Sequence, residues 1–220
     1  MIKSVGLLQR REDLDHAGFR AHYEQNHVPL ATELLGFPGY QRNYPESDRA
    51  RGELGLDGFS EFWFQDAAQV ARLGELMQGE VGAELMQDEL RFMIPPANQT
   101  YDVRERLYGK RPAPGEAVRV IAIARLPAGV QPGARESRLD FDDTRVRERS
   151  ISGVIAALHI MPVRATVPLE AGTRGVDCIE SLWLENREVL AECNRRRAGE
   201  NTTLLSIVEE FGTPCLVWRD

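Results

Sequence analysis

Two histidines, His22 and His27, stand in the stretch FRAHYEQNHVP, residues 19–29, and imidazole is the side chain best suited to give or take a proton near neutral pH. At 3.6 residues per turn, Phe19, His22, Tyr23, Asn26 and His27 share one arc, while Arg20, Ala21, Glu24 and Gln25 fall on the other side. One face is therefore both apolar and ionisable. Pro29 lacks a backbone donor and disfavours the α conformation at Val28, so the spacing predicts a helix that stops at about His27. Pro29 then opens a second short helix, PLATELL. A helix C-terminus favours imidazolium, which makes His27 the candidate general acid or base; a capping or surface histidine is the alternative. Around His22 no Asp, Glu or Cys stands at ligand spacing, so a packed or solvent-facing ring is favoured over a metal ligand.

The elements that must carry these groups follow from periodicity. Residues 2–8 read as a buried strand, and Asp13 or Asp15 as the N-cap of the histidine helix. Residues 40–44 alternate as a half-buried strand, 45–58 read as a polar loop, and FSEFWF, 59–64, is the most strand-like run in the chain. Asp66 caps a helix over 67–77, a further helix spans 80–93 before Pro95 and Pro96, and 99–107 alternates again. The order β-α-β-β-α-β is that of a ferredoxin-like unit, an antiparallel sheet with helices on one face.

GKRPAPGE, 109–116, marks a boundary, after which the order recurs: strands over 118–126, 150–163 and 176–185, a helix over 186–197, a last strand over 207–218. Two units are expected, 1–108 with the candidate site and 117–220 as a degenerate copy. DCIESLWL parallels DGFSEFWF, with Asp57 against Asp177, Trp63 against Trp183, and Glu61 beside Glu180 or Ser181. The first helix of the second copy falls between Pro127 and Ser150, where DFDDTRVRER has no histidine. The second unit thus lacks the opening motif.

FRAHYEQNHVPL, GFPGYQRNY and DGFSEFWF together resemble the EthD family of the dimeric α+β barrel superfamily, over about residues 1–107. The resemblance implies an α+β fold in which two ferredoxin-like sheets pack into a barrel, here supplied by one chain. It also implies catabolic or tailoring chemistry on aromatic, polyketide or lactone compounds, with His27 as acid or base. Such a barrel encloses an apolar cavity. Alternation sends Ser60, Phe62 and Phe64 to one face and Phe59, Glu61 and Trp63 to the other. A buried Glu61 needs a partner and an aromatic pair needs none, so Phe62 and Phe64 are read as the lining.

The resulting expectation is an isomerase or lyase (dehydratase) that moves a proton on a small cyclic or aromatic carbonyl or lactone compound without a cofactor or metal. Tyr23, Asn26, Asn43 and Tyr44 are the candidates to hydrogen-bond a developing oxyanion. The alternative is a non-catalytic protein that sequesters an apolar metabolite, and a haem-binding or oxygenase relative comes third. No P-loop, GxGxxG opening, GxSxG elbow or HExxH is present.

Composition narrows the partners. A net charge of −7 and a pI near 5.3 argue against a nucleic-acid binder, and Arg195, Arg196 and Arg197 read as a solvated helix end. Cys178, Cys193 and Cys215 form no CxxC pair, as expected of reduced cytoplasmic thiols, Cys178 and Cys215 lying in apolar strand-like runs. No apolar run reaches signal-peptide or membrane-spanning length. A chain that closes both sheets on itself needs no partner, and one that does not forms a homodimer.

Overall fold

The computed structural model describes residues 1–113, 115–127, 130, 151–169, 172–197 and 204–213. The fold is mixed α+β with antiparallel strand pairs, and it divides into two compact units. The first takes Met1–Tyr44, Leu56–Thr100 and the chain from Gly212; the second takes Pro45–Gly55 and Tyr101–Phe211. The helix expected between Pro127 and Ser150 falls, apart from residue 130, outside the described residues, as does Cys215.

In the first unit β1 (Ile2–Leu8) pairs with β3 (Gly58–Phe64) and β3 with β2 (Gly39–Pro45). β1 is buried from Lys3 on, as read, whereas β2, read as half-buried, is buried at every position because both of its faces are covered. One face of β3 meets helices: a Cβ on Gly58 would touch the Phe19 and Tyr44 rings, and Ser60 Oγ lies 2.8 Å from the Tyr23 hydroxyl. On the other face Glu61 is fully buried, 2.7 Å from Lys3 Nζ and 3.1 Å from Asn43 Nδ2, and Lys3 lies over the Trp63 ring. Asp15 caps α1 (His16–His22), its Oδ1 accepting from Gly18 N at 2.7 Å, and Asp66 does the same for α4 (Ala67–Leu76). α5 (Glu80–Glu89) starts very close to the end of α4. A Cβ on Gly82 would overlap the Met77 carbonyl group, so only glycine fits there. Phe19, Tyr23, Leu85 and Phe92, each 0–2% exposed, form the core between sheet and helices.

The predicted helix end at His27 is a correction. α1 runs into a π-turn, Tyr23–His27, which runs into α2 (Val28–Leu35), and the helix ends only at Gly36, whose φ of 60° is left-handed. A proline at 29 has no N–H for the Gln25 carbonyl and crowds that oxygen. The ladder absorbs this in one wide turn, in which the Val28 N–H bonds Tyr23 O instead of stopping the helix. His27 therefore sits in mid-helix, and the dipole argument for its charge does not hold.

The second unit orders its strands β8–β5–β7–β6–β4: β4 (Gln99–Tyr108), β5 (Val118–Arg125), β6 (Val154–Ala165), β7 (Val176–Leu184) and β8 (Ser206–Thr213). α6 (Glu188–Arg197) covers the face carrying Val120, Ala122, Leu182 and Leu184, with Cys193 in that core; Cys178 and Cys193 are both buried. Part of the stretch read as a polar loop, 45–58, is helical: α3 (Asp48–Leu54), capped by Ser47 Oγ. Arg197 also departs from expectation. Arg195 and Arg196 pair with Glu192 in solvent, but Arg197 is buried against Glu180 at 2.5 Å. Among the described residues no helix is long and apolar enough to cross a membrane.

Candidate active site

The buried edge of α5 is spaced by three residues, Gly82, Leu85 and Asp88, and so delivers one carboxylate to the helical run packed against it. Asp88 Oδ2 lies 3.0 Å from His27 Nδ1, and Oδ1 lies 2.8 Å from His22 Nε2. The Asp88 and His27 side chains are each 8% exposed and that of His22 is 22% exposed, so His22 is the ring that solvent reaches. Phe92 packs against this group, stacked on His22 at 4.7 Å and tilted against His27 at 5.3 Å.

An ionised carboxylate only accepts hydrogen bonds, so with Asp88 ionised the facing nitrogens of both imidazoles carry hydrogens. Neutral His27 then keeps its lone pair on Nε2, held in that tautomer by Asp88. Burial pushes the His27 imidazole below its ordinary value; the hydrogen bond and charge of Asp88 oppose this, and charge on His22 adds to it. His27 is thus held towards its neutral form at pH 7.

Beside it the Tyr23 ring lies 5.3 Å from His27, and its hydroxyl is 2.7 Å from Tyr40 Oη and 2.8 Å from Ser60 Oγ. Burial pushes Tyr23 up to about 12 and Tyr40 well above the usual phenol range, so both stay neutral and able to donate. Such donors can stabilise an oxyanion without first losing a proton.

Glu89 adjoins Asp88 and is pushed up to about 7, by burial first and then by the charge of Asp88. The folded chain therefore holds this proton between about 4.5 and 7, where an unfolded chain has lost it. Stability from Glu89 declines as pH rises through that window and stays down above it. Glu89→Gln is expected to remove this decline, raising the urea midpoint over that of the wild type at pH 8 but not at pH 4. The gain is on the order of 1 to 3 kcal/mol, since Glu89 is only half-buried. Equal midpoints at pH 8 would show the carboxyl to be solvated.

The structure brings only some of the sequence-predicted residues together. Tyr23 stands with His27. Tyr44 packs edge-on to Tyr23, but its hydroxyl is taken by Glu24 at 2.6 Å, which Arg42 also holds at 2.5 Å. Phe62 and Phe64 are on the helix-facing side, packed with Phe37, and Phe62 also stacks on Tyr40. Asn43 is on the opposite face with Glu61, and Asn26 is exposed. Asp88, Tyr40, Ser60 and Phe92 were missed. The available signal for Asp88 was an acid at the i+3 position of an otherwise apolar helix edge, after Leu85. Among the described residues no group of three or more His, Cys, Asp or Glu could hold a metal ion. An open groove of about 330 Å³ lies in the second unit between α3 and α6, but its charges are mutually engaged, Arg187 with Glu46 and Arg49 with Glu53.

Residues 11–96 match the EthD domain, so the resemblance carried by FRAHYEQNHVPL and DGFSEFWF is shown for the segment that holds this site. No curated protein matches the chain. Among solved structures, an anthrone oxidase-like protein is similar over 98% of this chain and 94% of its own, with a TM-score of 0.56 at 9% identity. A protein of Lactobacillus acidophilus, provisionally described as a monooxygenase, gives 0.48 at 10% identity over 97% and 96%. A mutant chlorite dismutase of Candidatus Nitrospira defluvii gives 0.41 at 14% over 94% and 91%. The first of these shows the fold, and identities this low show nothing more.

Proposed function

We propose that this protein is a cofactor-independent proton-transfer enzyme, an isomerase or dehydratase acting on a small cyclic or aromatic carbonyl or lactone compound. The observation that carries the reading is the 3.0 Å contact between Asp88 Oδ2 and buried His27 Nδ1, beside neutral Tyr23. In this mechanism His27 Nε2 takes a proton from carbon next to the carbonyl, and Asp88 steadies the imidazolium that forms. A neutral hydroxyl of the Tyr23–Tyr40–Ser60 group supports the enolate oxygen. The imidazolium then returns the proton at another carbon, or to a departing hydroxyl. Phe62 and Phe64 are proposed to contact the apolar part of the substrate, with Tyr44 and Asn26 as outer candidates; Asn43, across the sheet with Glu61, is not one of them.

The fold reading that goes with this is two tandem ferredoxin-like copies, 1–108 and 117–220, forming one α+β barrel. It is supported by a shared register: Lys3 stands opposite Trp63 in the first unit and Arg119 opposite Trp183 in the second, each cation over its indole.

The test is hydrogen–deuterium exchange in D₂O on anthrone, the compound in the name of the structural neighbour, together with a cyclic enone and an unsaturated lactone. Exchange is expected with at least one probe, falling by roughly 10² to 10⁴ in His27→Ala with an unchanged circular dichroism spectrum. Undiminished exchange in folded His27→Ala would refute the assignment. Tight binding without exchange, indifferent to His27, would favour sequestration of a metabolite.

A further inference from the structure

Asp88 gives one oxygen to each of two imidazoles, and a single carboxylate can neutralise only one imidazolium. We propose that His22 is a positioning residue for His27: through the carboxylate they share, the charge on His22 decides how firmly His27 holds a proton. The proposal rests on His27 being the acid–base group.

When His22 is imidazolium, its Nε2–H takes up the charge of Asp88, and His27 faces a carboxylate already neutralised. When His22 is neutral, the full charge of Asp88 is available to the imidazolium that forms on His27. The contacts around the pair make this coupling strong. Asp88 is nine-tenths buried and Phe92 is fully buried, so little solvent lies between the three groups to screen them. The Phe92 stack, 4.7 Å and 20° from parallel, fixes the His22 ring so that its Nε2 stays on Asp88 while its outer edge meets water.

Few other charges bear on the pair. From α5 these are Asp88 and Glu89, which adds negative charge as it ionises near pH 7. On the helical run Tyr23 is neutral and Glu24 is held by Arg42 and Tyr44, and from β2 Tyr40 is neutral. The variable partner within the pair is therefore His22.

The experiment is an NMR titration of the ¹⁵N-histidine-labelled full chain, in which long-range ¹H–¹⁵N spectra report the tautomer and charge of each of the 4 histidines. His27→Gln assigns the His27 signals. In the wild type, His27 is expected to show a second inflection at the midpoint of His22, as coupled sites do. In His22→Phe and His22→Gln that inflection is lost, and the His27 midpoint moves up. A wild-type His27 curve without an inflection at the His22 midpoint, or a midpoint unmoved in a folded variant, would overturn the proposal. The wild-type measurement decides even if both variants fail to fold. No substrate is involved. Coupling without exchange on any carbonyl probe would overturn the reaction and leave the pair intact; exchange without coupling would do the reverse.

Discussion

Asp88→Asn is expected to slow proton exchange by roughly 10² to 10⁴, the span attributed to a positioned acid or base, while leaving the helices in place. The side chain keeps its size, so the loss comes from chemistry. Asp88 offers two acceptor oxygens, one to His22 Nε2 and one to His27 Nδ1, whereas an asparagine offers one acceptor and one donor. At most one imidazole can keep its tautomer. Whichever way the amide turns, no negative charge remains to steady an imidazolium at His27. The check is the exchange rate against pH, alongside the tautomer of His27 by NMR. A rate within twofold of the wild type would mean that Asp88 has a packing role and that another group activates His27.

The largest effect on stability is expected on the opposite face of the sheet. Glu61→Ala leaves the Lys3 ammonium, 6% exposed, against the Trp63 ring without the carboxylate now 2.7 Å away. Removing one partner of a buried ion pair costs about 3 to 5 kcal/mol, because the other charge stays desolvated. Replacing both partners, Lys3→Met with Glu61→Leu, is expected to recover most of the loss, since neither charge then has to leave water. Urea midpoints of the singles and the double complete the cycle. A loss below 1 kcal/mol in Glu61→Ala would show that water reaches the pair.

Much of the fold was legible because strands write their faces directly in the sequence. β1 begins and ends where a buried strand was read, and β2 and β3 extend only a residue beyond at their ends. Caps were legible for the same local reason: Asp15 and Asp66 stand where a side-chain oxygen reaches the first free N–H groups. The site was half legible. His27 and Tyr23 are together, but Asn26, placed in the same arc at 100° per residue, is exposed. The cause is the π-turn, which takes in one more residue than an α turn and rotates the residues after Tyr23 out of the assumed phase. Asp88 could be noticed on its helix edge, but its partners could not be named, for a different reason. It lies 61 residues from His27, and nothing local in EVGAELMQDEL says which element its helix will meet. Glu61 was seen to need a partner, but Lys3, 58 residues away, could be named only once β1 and β3 were paired.

The wide turn also bears on how this site would be sought in other sequences. In an unbroken α-helix, residues five apart point about 140° away from each other and could not both reach one carboxylate. Residues four apart point only about 40° away and could. The π-turn closes with a bond between Tyr23 and Val28, five apart, so that His22 and His27 stand as neighbours would at a spacing of four. One residue of the stretch is therefore spare to the geometry. A chain lacking it could return to a plain helix and keep both rings on the acid, so a search pattern written with a strict gap of four residues between the histidines would pass over it. The pattern that describes the geometry allows a gap of three or four and asks for an acid at the end of a buried helix edge some sixty residues later.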